Sequence, residues 1–203
     1  MAAHRLAALA AGPLGAELSG LADSLRRITV HVHTGRWGHG SGVIWWGDGL
    51  IVTNAHVAPG AGAQVRLADG RMLDARLVAR EPDRDLAALR IMTTGLPAAM
   101  PGEFDGLRPG ELVAALGHPY GVPEALSIGV IHELTRDHGT PAWIRADIRL
   151  APGNSGGPLA DVYGRVLGLN TLVAGGLGFA IPAPMVAGFL RRAGLGPPGE
   201  RAA

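Results

Sequence analysis

The chain contains no cysteine and no lysine, and both absences exclude chemistry. All eighteen basic side chains among the 203 residues are arginine. Without a thiol there is no cysteine nucleophile, no thiolate zinc site and no disulfide. Without a lysine ammonium there is no Schiff base, no serine–lysine dyad and no P-loop. Serine is also rare, with only five in the chain.

Charged residues are sparse as well. They make up 17% of the chain against 47% hydrophobic residues, and the formal net charge is +1. This composition is typical of a globular protein with a sizeable core rather than of a disordered chain. So small a net charge gives no long-range field that favours nucleic acid or an acidic partner, and we expect no nucleic-acid partner.

Two segments raise the question of a membrane or an export signal. Residues 166–190 carry no charge over a membrane-spanning length, but their five glycines and two prolines favour paired core strands. The start, "MAAHRLAALAAGPLGAEL", weakly resembles a signal peptide, but Pro13 interrupts its apolar run. No clear cleavage site follows, so a cytoplasmic location is favoured and export stays open.

Hydrophobic periodicity predicts a helix near the start, then many short strands, and a closing helix from the spacing of Met185, Phe189 and Leu190. Apolar residues recur at the helical spacing between positions 18 and 28. Alternating segments then surround turn signals at Gly47–Gly49 and Asp69–Gly70, which predict antiparallel hairpins. The stretch 94–109 lacks periodicity and separates this half from a second set of short apolar runs. Two such halves predict an all-β fold of two packed barrels.

The predicted units follow from these patterns. They are an N-terminal arm with a short helix at 1–27, a first β-barrel at 28–93, an inter-barrel connection at 94–109, a second β-barrel with a closing helix at 110–190, and a tail at 191–203.

One serine lies in an unusually glycine-rich stretch, "APGNSGGPL". Glycine loses much conformational entropy on folding, so the local backbone must require it. The amides of Gly153 and Ser155, with Asn154 supporting the backbone between them, could form an oxyanion hole for a Ser155 nucleophile. An ordinary turn between strands explains the pentapeptide equally well. The string also matches the G-x-S-x-G elbow of α/β-hydrolases, but none of the eight histidines follows the serine, so that interpretation fails.

A general base and its acid partner must then come from upstream. His56 follows the apolar strand of "IVTNAHVA", and a strand end is a rigid place for an imidazole. Asp85 directly precedes the strand of "DRDLAALRI" and is the favoured partner, while Asp83 stays the alternative. His31 and His33 share one strand face and could be a surface pair or part of a metal site.

Several sequence blocks occur together in a recognisable order. They are "GSGVI", "GLIVTNAHV", "EPDRDLAALRI", "ALGHPYG", "SIGVI", "APGNSGGPL", "GRVLGLNT" and "GLGFAIP". Over residues 28–190 they resemble the protease domain of the HtrA/Deg family of trypsin-like serine proteases. The resemblance implies two six-stranded antiparallel β-barrels, with His56 and Asp85 from the first and Ser155 from the second. It thus implies a serine endopeptidase that acts on polypeptides and needs no cofactor or metal.

The resemblance also implies a specificity pocket. Leu150, Val173 and Ala174 match positions that line it, and their apolar character predicts small or medium apolar side chains before the cleaved bond. Ordinary core packing explains these three residues nearly as well. Family members commonly carry C-terminal PDZ domains, and none is expected in this sequence. A family-like trimer stays open.

Two other functions compete with the protease. A catalytically inactive peptide-binding protein or holdase could use the same cleft between barrels to bind extended peptide by strand addition. Alternatively, His31, His33 and His39 could bind a metal from one strand face, although no nearby carboxylate supports this.

Overall fold

Two closed β-barrels make up most of the computed structural model. It describes residues 12–35, 38–118, 120 and 125–199. Most of the segment that resembles a signal peptide, and the last four residues of the tail, lie outside these ranges. The predicted fold class, two six-stranded antiparallel barrels with a short helix at each end, is confirmed.

The first barrel closes through pairing of its first and fourth strands. The strand order is β1-β2-β3-β6-β5-β4, and every neighbouring pair is antiparallel. The predicted turns at Gly47–Gly49 and Asp69–Gly70 connect β2 to β3 and β4 to β5. The strands are β1 (Thr29–Thr34), β2 (Gly38–Trp46), β3 (Leu50–Thr53), β4 (Gly62–Arg66), β5 (Met72–Glu81) and β6 (Leu86–Ile91).

The second barrel repeats this arrangement. Its order is β10-β11-β12-β9-β8-β7, and β7 closes onto β10. The uncharged stretch 166–190 forms two of its strands and the helix that follows, not one continuous helix. The strands are β7 (Leu112–Gly117), β8 (Ala125–Asp137), β9 (Thr140–Asp147), β10 (Pro158–Asp161), β11 (Val166–Ala174) and β12 (Leu177–Pro182).

One helix precedes the first barrel and one follows the second. Helix α1 (Pro13–Ile28) and helix α2 (Ala183–Arg192) both have proline in the first turn, where its missing N–H costs no hydrogen bond, and two arginines in the last turn. Leu21, Leu25 and Ile28 of α1 are buried, as the helical spacing predicted. Within the described ranges, no helix combines the length and apolar character needed to cross a bilayer.

Three apolar clusters explain how the barrels are held together. One fills each barrel interior, around Ile51 in the first and Ile144 in the second. The third lies between the barrels and joins them to both helices, with Trp45, Leu116 and Phe189 among its buried members. Burial of apolar area is the main favourable term in folding, so this shared cluster fixes one barrel against the other. A backbone hydrogen bond from the Ser41 N–H to the Ser155 carbonyl, at 2.8 Å, also joins the two barrels.

Candidate active site

Two side chains at strand ends of the first barrel form a hydrogen-bonded pair. His56 lies in the turn after β3, and Asp85 directly precedes β6, which pairs with β3. His56 Nδ1 lies 2.8 Å from Oδ2 of Asp85 and 3.0 Å from Oδ1. An ionised carboxylate only accepts hydrogen bonds, so Nδ1 carries the proton and Nε2 keeps a lone pair. The imidazole is half-exposed.

The backbone around Asp85 is fixed in an unusual conformation. Its φ of 52° lies in the left-handed region, which costs free energy in a residue with a side chain. The Asp85 N–H donates to the Pro82 carbonyl at 3.0 Å, and Asn54 Nδ2 donates to the Asp85 carbonyl at 3.0 Å. Asp83 is exposed in the preceding 3₁₀ turn. The structure therefore brings Asp85, and not Asp83, to His56.

Thr171 on β11 links the pair to the serine, and the sequence had given it no role. Its hydroxyl donates to Asp85 Oδ2 at 2.6 Å, and its carbonyl accepts a hydrogen bond from Ser155 Oγ at 2.9 Å. One residue of the second barrel thus contacts both the carboxylate and the serine. A threonine at the end of the apolar block "GRVLGLNT" was the available signal in the sequence. Both side chains are described, and no hydrogen bond joins Ser155 Oγ to the His56 ring in this arrangement.

The Asp85 carboxylate is held in its ionised form. Partial burial alone would raise its pKa, but hydrogen bonds from the His56 ring, the Thr171 hydroxyl and the His56 amide outweigh that effect. The pKa of Asp85 therefore lies below its usual value, and the group is charged at neutral pH.

The glycines around Ser155 are required by close backbone approach. Gly156 has φ 82°, and a Cβ there would lie 2.1 Å from the Ser41 carbonyl oxygen. A Cβ at Gly157 would lie 2.3 Å from the Leu116 carbonyl oxygen. Neither position accepts a side chain, so this is more than a generic glycine-rich turn. The glycines allow the serine segment to pass between the two barrels.

The residues proposed for the oxyanion hole lie in a hydrogen-bonded turn. The Pro152 carbonyl accepts a hydrogen bond from the Tyr120 amide at 2.9 Å, and Asn154 N–H donates to the Ala151 carbonyl at 3.0 Å. No described peptide bond is cis, so the Gly153 N–H points away from the Pro152 carbonyl and Tyr120. The direction of the Gly153 amide is thus set by a neighbouring loop.

A cavity of about 380 Å³ opens beside the serine. Ser155 contributes to its wall, together with Leu150 and Val173 from the predicted specificity pocket. Ala174, the third predicted residue, follows Val173 on β11 but does not line this cavity. The lining is mainly apolar, and the other residues in it are Ala151, Pro152, Asn154, Asn170, Thr171 and Leu172.

His31, His33 and His39 of the first barrel form a cluster of ring contacts with His118. The His31 ring centroid lies 3.8 Å from that of His33 and 6.1 Å from that of His39. His118 stacks on His31 at 4.6 Å with planes 6° apart. Nitrogen lone pairs lie in the ring plane, so the parallel rings of His31 and His118 do not point at one ion. Across the described part of the chain, no group of three or more potential ligands has a metal-binding arrangement.

Comparisons with known proteins agree with this geometry. Residues 40–169 match the family model of the trypsin-like peptidase domain. The putative serine protease HhoB of Synechocystis sp. is 40% identical over 156 residues, which are 71% of this chain and 38% of that protein. A probable periplasmic serine endoprotease DegP-like of Halomonas elongata is 42% identical over 154 residues, or 70% of this chain and 32% of that protein.

A solved structure, "HtrA-type protease AlgW with tripeptide", superposes with a TM-score of 0.78 at 33% identity. The match covers 86% of this chain and 63% of that one. The chain therefore spans about a third of the curated relatives' length, and less than two thirds of the solved chain.

Proposed function

Because the chain belongs to the trypsin-like peptidase domain family, we propose that it is a serine endopeptidase that uses Ser155, His56 and Asp85. The resemblance to HtrA/Deg proteases found in the sequence is confirmed by relatives and solved structures of that type. The observation that carries the proposal is the double contact of Thr171. Its hydroxyl binds Asp85 and its carbonyl binds Ser155, so groups from both barrels lie around one residue.

The reaction begins when the Ser155 hydroxyl turns from the Thr171 carbonyl toward His56. Rotation about one side-chain bond exchanges staggered positions of Oγ. His56 Nε2 then accepts the hydroxyl proton while Oγ bonds to the substrate carbonyl carbon. The same proton passes to the leaving amine as the C–N bond breaks, which leaves an acyl group on Ser155. Water attacks that ester and gives a proton to Nε2, which passes it to Ser155 Oγ as the ester C–O bond breaks and the product acid leaves.

Asp85 supports the charged intermediate of His56. Its carboxylate accepts the Nδ1 hydrogen bond at 2.8 Å, which fixes the tautomer and stabilises the imidazolium. Hydrogen bonds that lower the pKa of Asp85 keep it ionised while His56 gains a proton. The carboxylate itself takes no proton in this scheme.

The oxyanion is held by the backbone amides of Gly153 and Ser155, with Asn154 supporting the backbone between them. Fixed amide donors stabilise the developing negative charge without reorganising during the reaction. The Tyr120 amide donates a hydrogen bond to the Pro152 carbonyl. Because the peptide bond is trans, the Gly153 N–H points away from Tyr120, which an oxyanion donor requires. The Asn154 side chain between Gly153 and Ser155 is buried.

The substrate residue before the cleaved bond is small or medium-sized and apolar. The cavity beside Ser155 has about 380 Å³ and an apolar wall that includes Leu150 and Val173. None of the described residues that line it is charged, so an arginine or lysine side chain would find no counter-charge among them. Ala174 extends the apolar edge along β11. Locally unfolded polypeptides are the expected substrates, because an extended chain can enter a cleft between two barrels.

Cleavage of casein tests the proposal. Purified wild-type protein should digest casein, and Ser155→Ala should lower the rate by about 10³-fold or more, because the covalent step is lost. Ser24→Ala is the matched control, since Ser24 is an exposed helix serine, and it should digest casein at the wild-type rate. A fluorophosphonate probe should label the wild type and the Ser24→Ala variant but not Ser155→Ala. Equal digestion by Ser155→Ala would contradict the proposal.

A non-catalytic peptide-binding protein predicts a different pattern in the same experiment. Wild-type protein would bind casein peptides but leave casein intact, and the fluorophosphonate probe would not label it. That result would favour the binding function on this fold.

A further inference from the structure

Ser41 on β2 connects the first barrel to the proposed catalytic loop through both its backbone and its side chain. It is fully buried. Its backbone N–H donates to the Ser155 carbonyl at 2.8 Å, and its hydroxyl donates to the Gly153 carbonyl at 2.8 Å. One residue therefore holds the chain on both sides of Asn154. These contacts lie in the segment whose amides are proposed to bind the oxyanion.

Gly153 needs such a tether because it has little conformational preference of its own. Its φ is 106°, a region that glycine enters freely and other residues rarely adopt. The Ser41 hydroxyl accounts for the short bond to the Gly153 carbonyl; the other donor there, the His118 amide, lies 3.4 Å away. Loss of the hydroxyl would leave the Gly153 carbonyl with one long hydrogen bond, from the His118 amide.

His118 determines where the Ser41 proton points. A serine hydroxyl has one proton, and the 2.8 Å contact assigns it to the Gly153 carbonyl. The contacts from the His118 amide at 3.1 Å and His118 Nδ1 at 3.2 Å must then donate to Ser41 Oγ. His118 is consequently the tautomer with the proton on Nδ1. Burial, followed by the charges of Arg66 and His33, lowers its pKa to about 4, so it is neutral near pH 7.

We propose that Ser41 is a positioning residue of the peptidase: it holds the Gly153–Ser155 backbone in the orientation that binds the oxyanion, and His118 orients its hydroxyl. This inference rests on the proposed function, since it assigns a purpose to the same amides. Ser41 touches no reacting atom in this scheme and acts through the loop. Its effect should therefore fall on the transition state and not on substrate binding.

Steady-state kinetics of Ser41→Ala test the role. The substrate is a fluorogenic peptide built on a site that the wild type cuts in casein. Removing one oxyanion donor costs about 10² to 10³ in kcat, and a loosened donor should cost less, about 10- to 100-fold. KM should stay within about threefold of wild type, because the specificity cavity is untouched. Fluorophosphonate labelling should slow by a factor similar to that for kcat.

Thr29→Val is the matched control for loss of a buried hydroxyl. Thr29 Oγ1 donates to the Leu25 carbonyl at 2.7 Å, at the α1–β1 junction away from the loop. The melting temperature of Thr29→Val should fall about as much as that of Ser41→Ala, but its kcat should be unchanged. His118→Asn can keep a donor near Ser41 Oγ and should retain most of kcat, whereas His118→Leu should lose part of it.

The possible outcomes separate the two proposals. If the wild type neither cleaves casein nor takes the probe, the proposed function fails and the role of Ser41 fails with it. If the wild type cleaves and Ser41→Ala keeps wild-type kcat, only the positioning role is overturned. A parallel loss of kcat in Thr29→Val and Ser41→Ala would show a general stability effect, which also overturns it.

Discussion

The molecule places histidines in two contrasting environments. His56 is half-exposed, and its Nδ1 donates to the carboxylate of Asp85. His31 and His118 are only 2% and 5% exposed, stack on each other and face Arg66 instead of a carboxylate. Arg66 donates to His31 Nδ1 at 3.2 Å, so that nitrogen carries no proton.

The contrast shows that the burial and the hydrogen-bond partner of a histidine determine its role, since the imidazole is the same in each case. Burial is the main cause that lowers the pKa of His31 to about 3 and that of His118 to about 4. Such rings stay neutral near pH 7 and can only hold fixed hydrogen bonds. An accessible ring paired with a carboxylate can gain and lose a proton during a reaction. We therefore expect proton transfer at His56 and positioning at His118.

Replacing Asp85, the carboxylate partner of His56, should have the largest effect on activity. Asp85→Asn should lower kcat/KM for the fluorogenic peptide by about 10³- to 10⁴-fold, because an amide can hold His56 in the wrong tautomer. The matched control is Asp83→Asn, two residues away in an exposed turn, which should stay within about twofold of wild type. If Asp83→Asn lost as much activity as Asp85→Asn, the assignment of the acid partner would be wrong.

Removing the Thr171 hydroxyl, which donates to the Asp85 carboxylate, should have a smaller effect on activity. Thr171→Val keeps the backbone carbonyl that binds Ser155 but loses the 2.6 Å hydrogen bond to Asp85. The carboxylate should become less well oriented and its pKa should rise, so kcat/KM should fall about tenfold. Thr171→Ser restores the donor and should recover most of the loss. Equal kinetics for the valine and serine variants would show that the hydroxyl has no part in orienting Asp85.

Features encoded over short stretches of chain could be predicted from the sequence. Apolar spacing identified both helices, and turn residues identified the hairpins, since each depends on neighbouring residues. The strand-end positions of His56 and Asp85 were visible because the strands that carry them were visible. Neighbouring strands of one barrel then bring the two side chains together.

Contacts across the two barrels could not be predicted in this way. Thr171 meets Asp85 from 86 residues away, and Ser41 meets Gly153 from 112 residues away. Periodicity states which face of a strand is buried, but not which residue of the other barrel it will contact. The pairing of His31 with His33 on one face was foreseeable. Their contact with His118 depends on barrel docking and was not.

The smallest expected effect concerns stability and tests the buried histidines. Their folded-state pKa values lie below the unfolded value of about 6.5. As pH falls below that value, the unfolded chain binds protons that the folded protein refuses, so acid favours unfolding. The free energy of unfolding from urea titrations should therefore fall between pH 7 and pH 5. His118→Asn lacks the imidazole that binds this proton. The decrease in its free energy of unfolding between pH 7 and pH 5 should therefore be smaller by about 1 to 2 kcal/mol.

The comparison must be made as a difference between variants, because protonation of carboxylates such as Asp85 also destabilises the fold in acid. His132→Asn, which removes an exposed imidazole on β8, is the matched control and should reproduce the wild-type slope. His31, His33, His39 and Arg66 remain in the His118→Asn variant, so the difference reports the His118 proton together with the loss of its charge effect on the pKa of His31. Identical slopes in all three proteins would mean that His118 titrates equally in the folded and unfolded chains. The contrast with His56 would then lose its physical basis, and burial would not be what keeps His118 neutral.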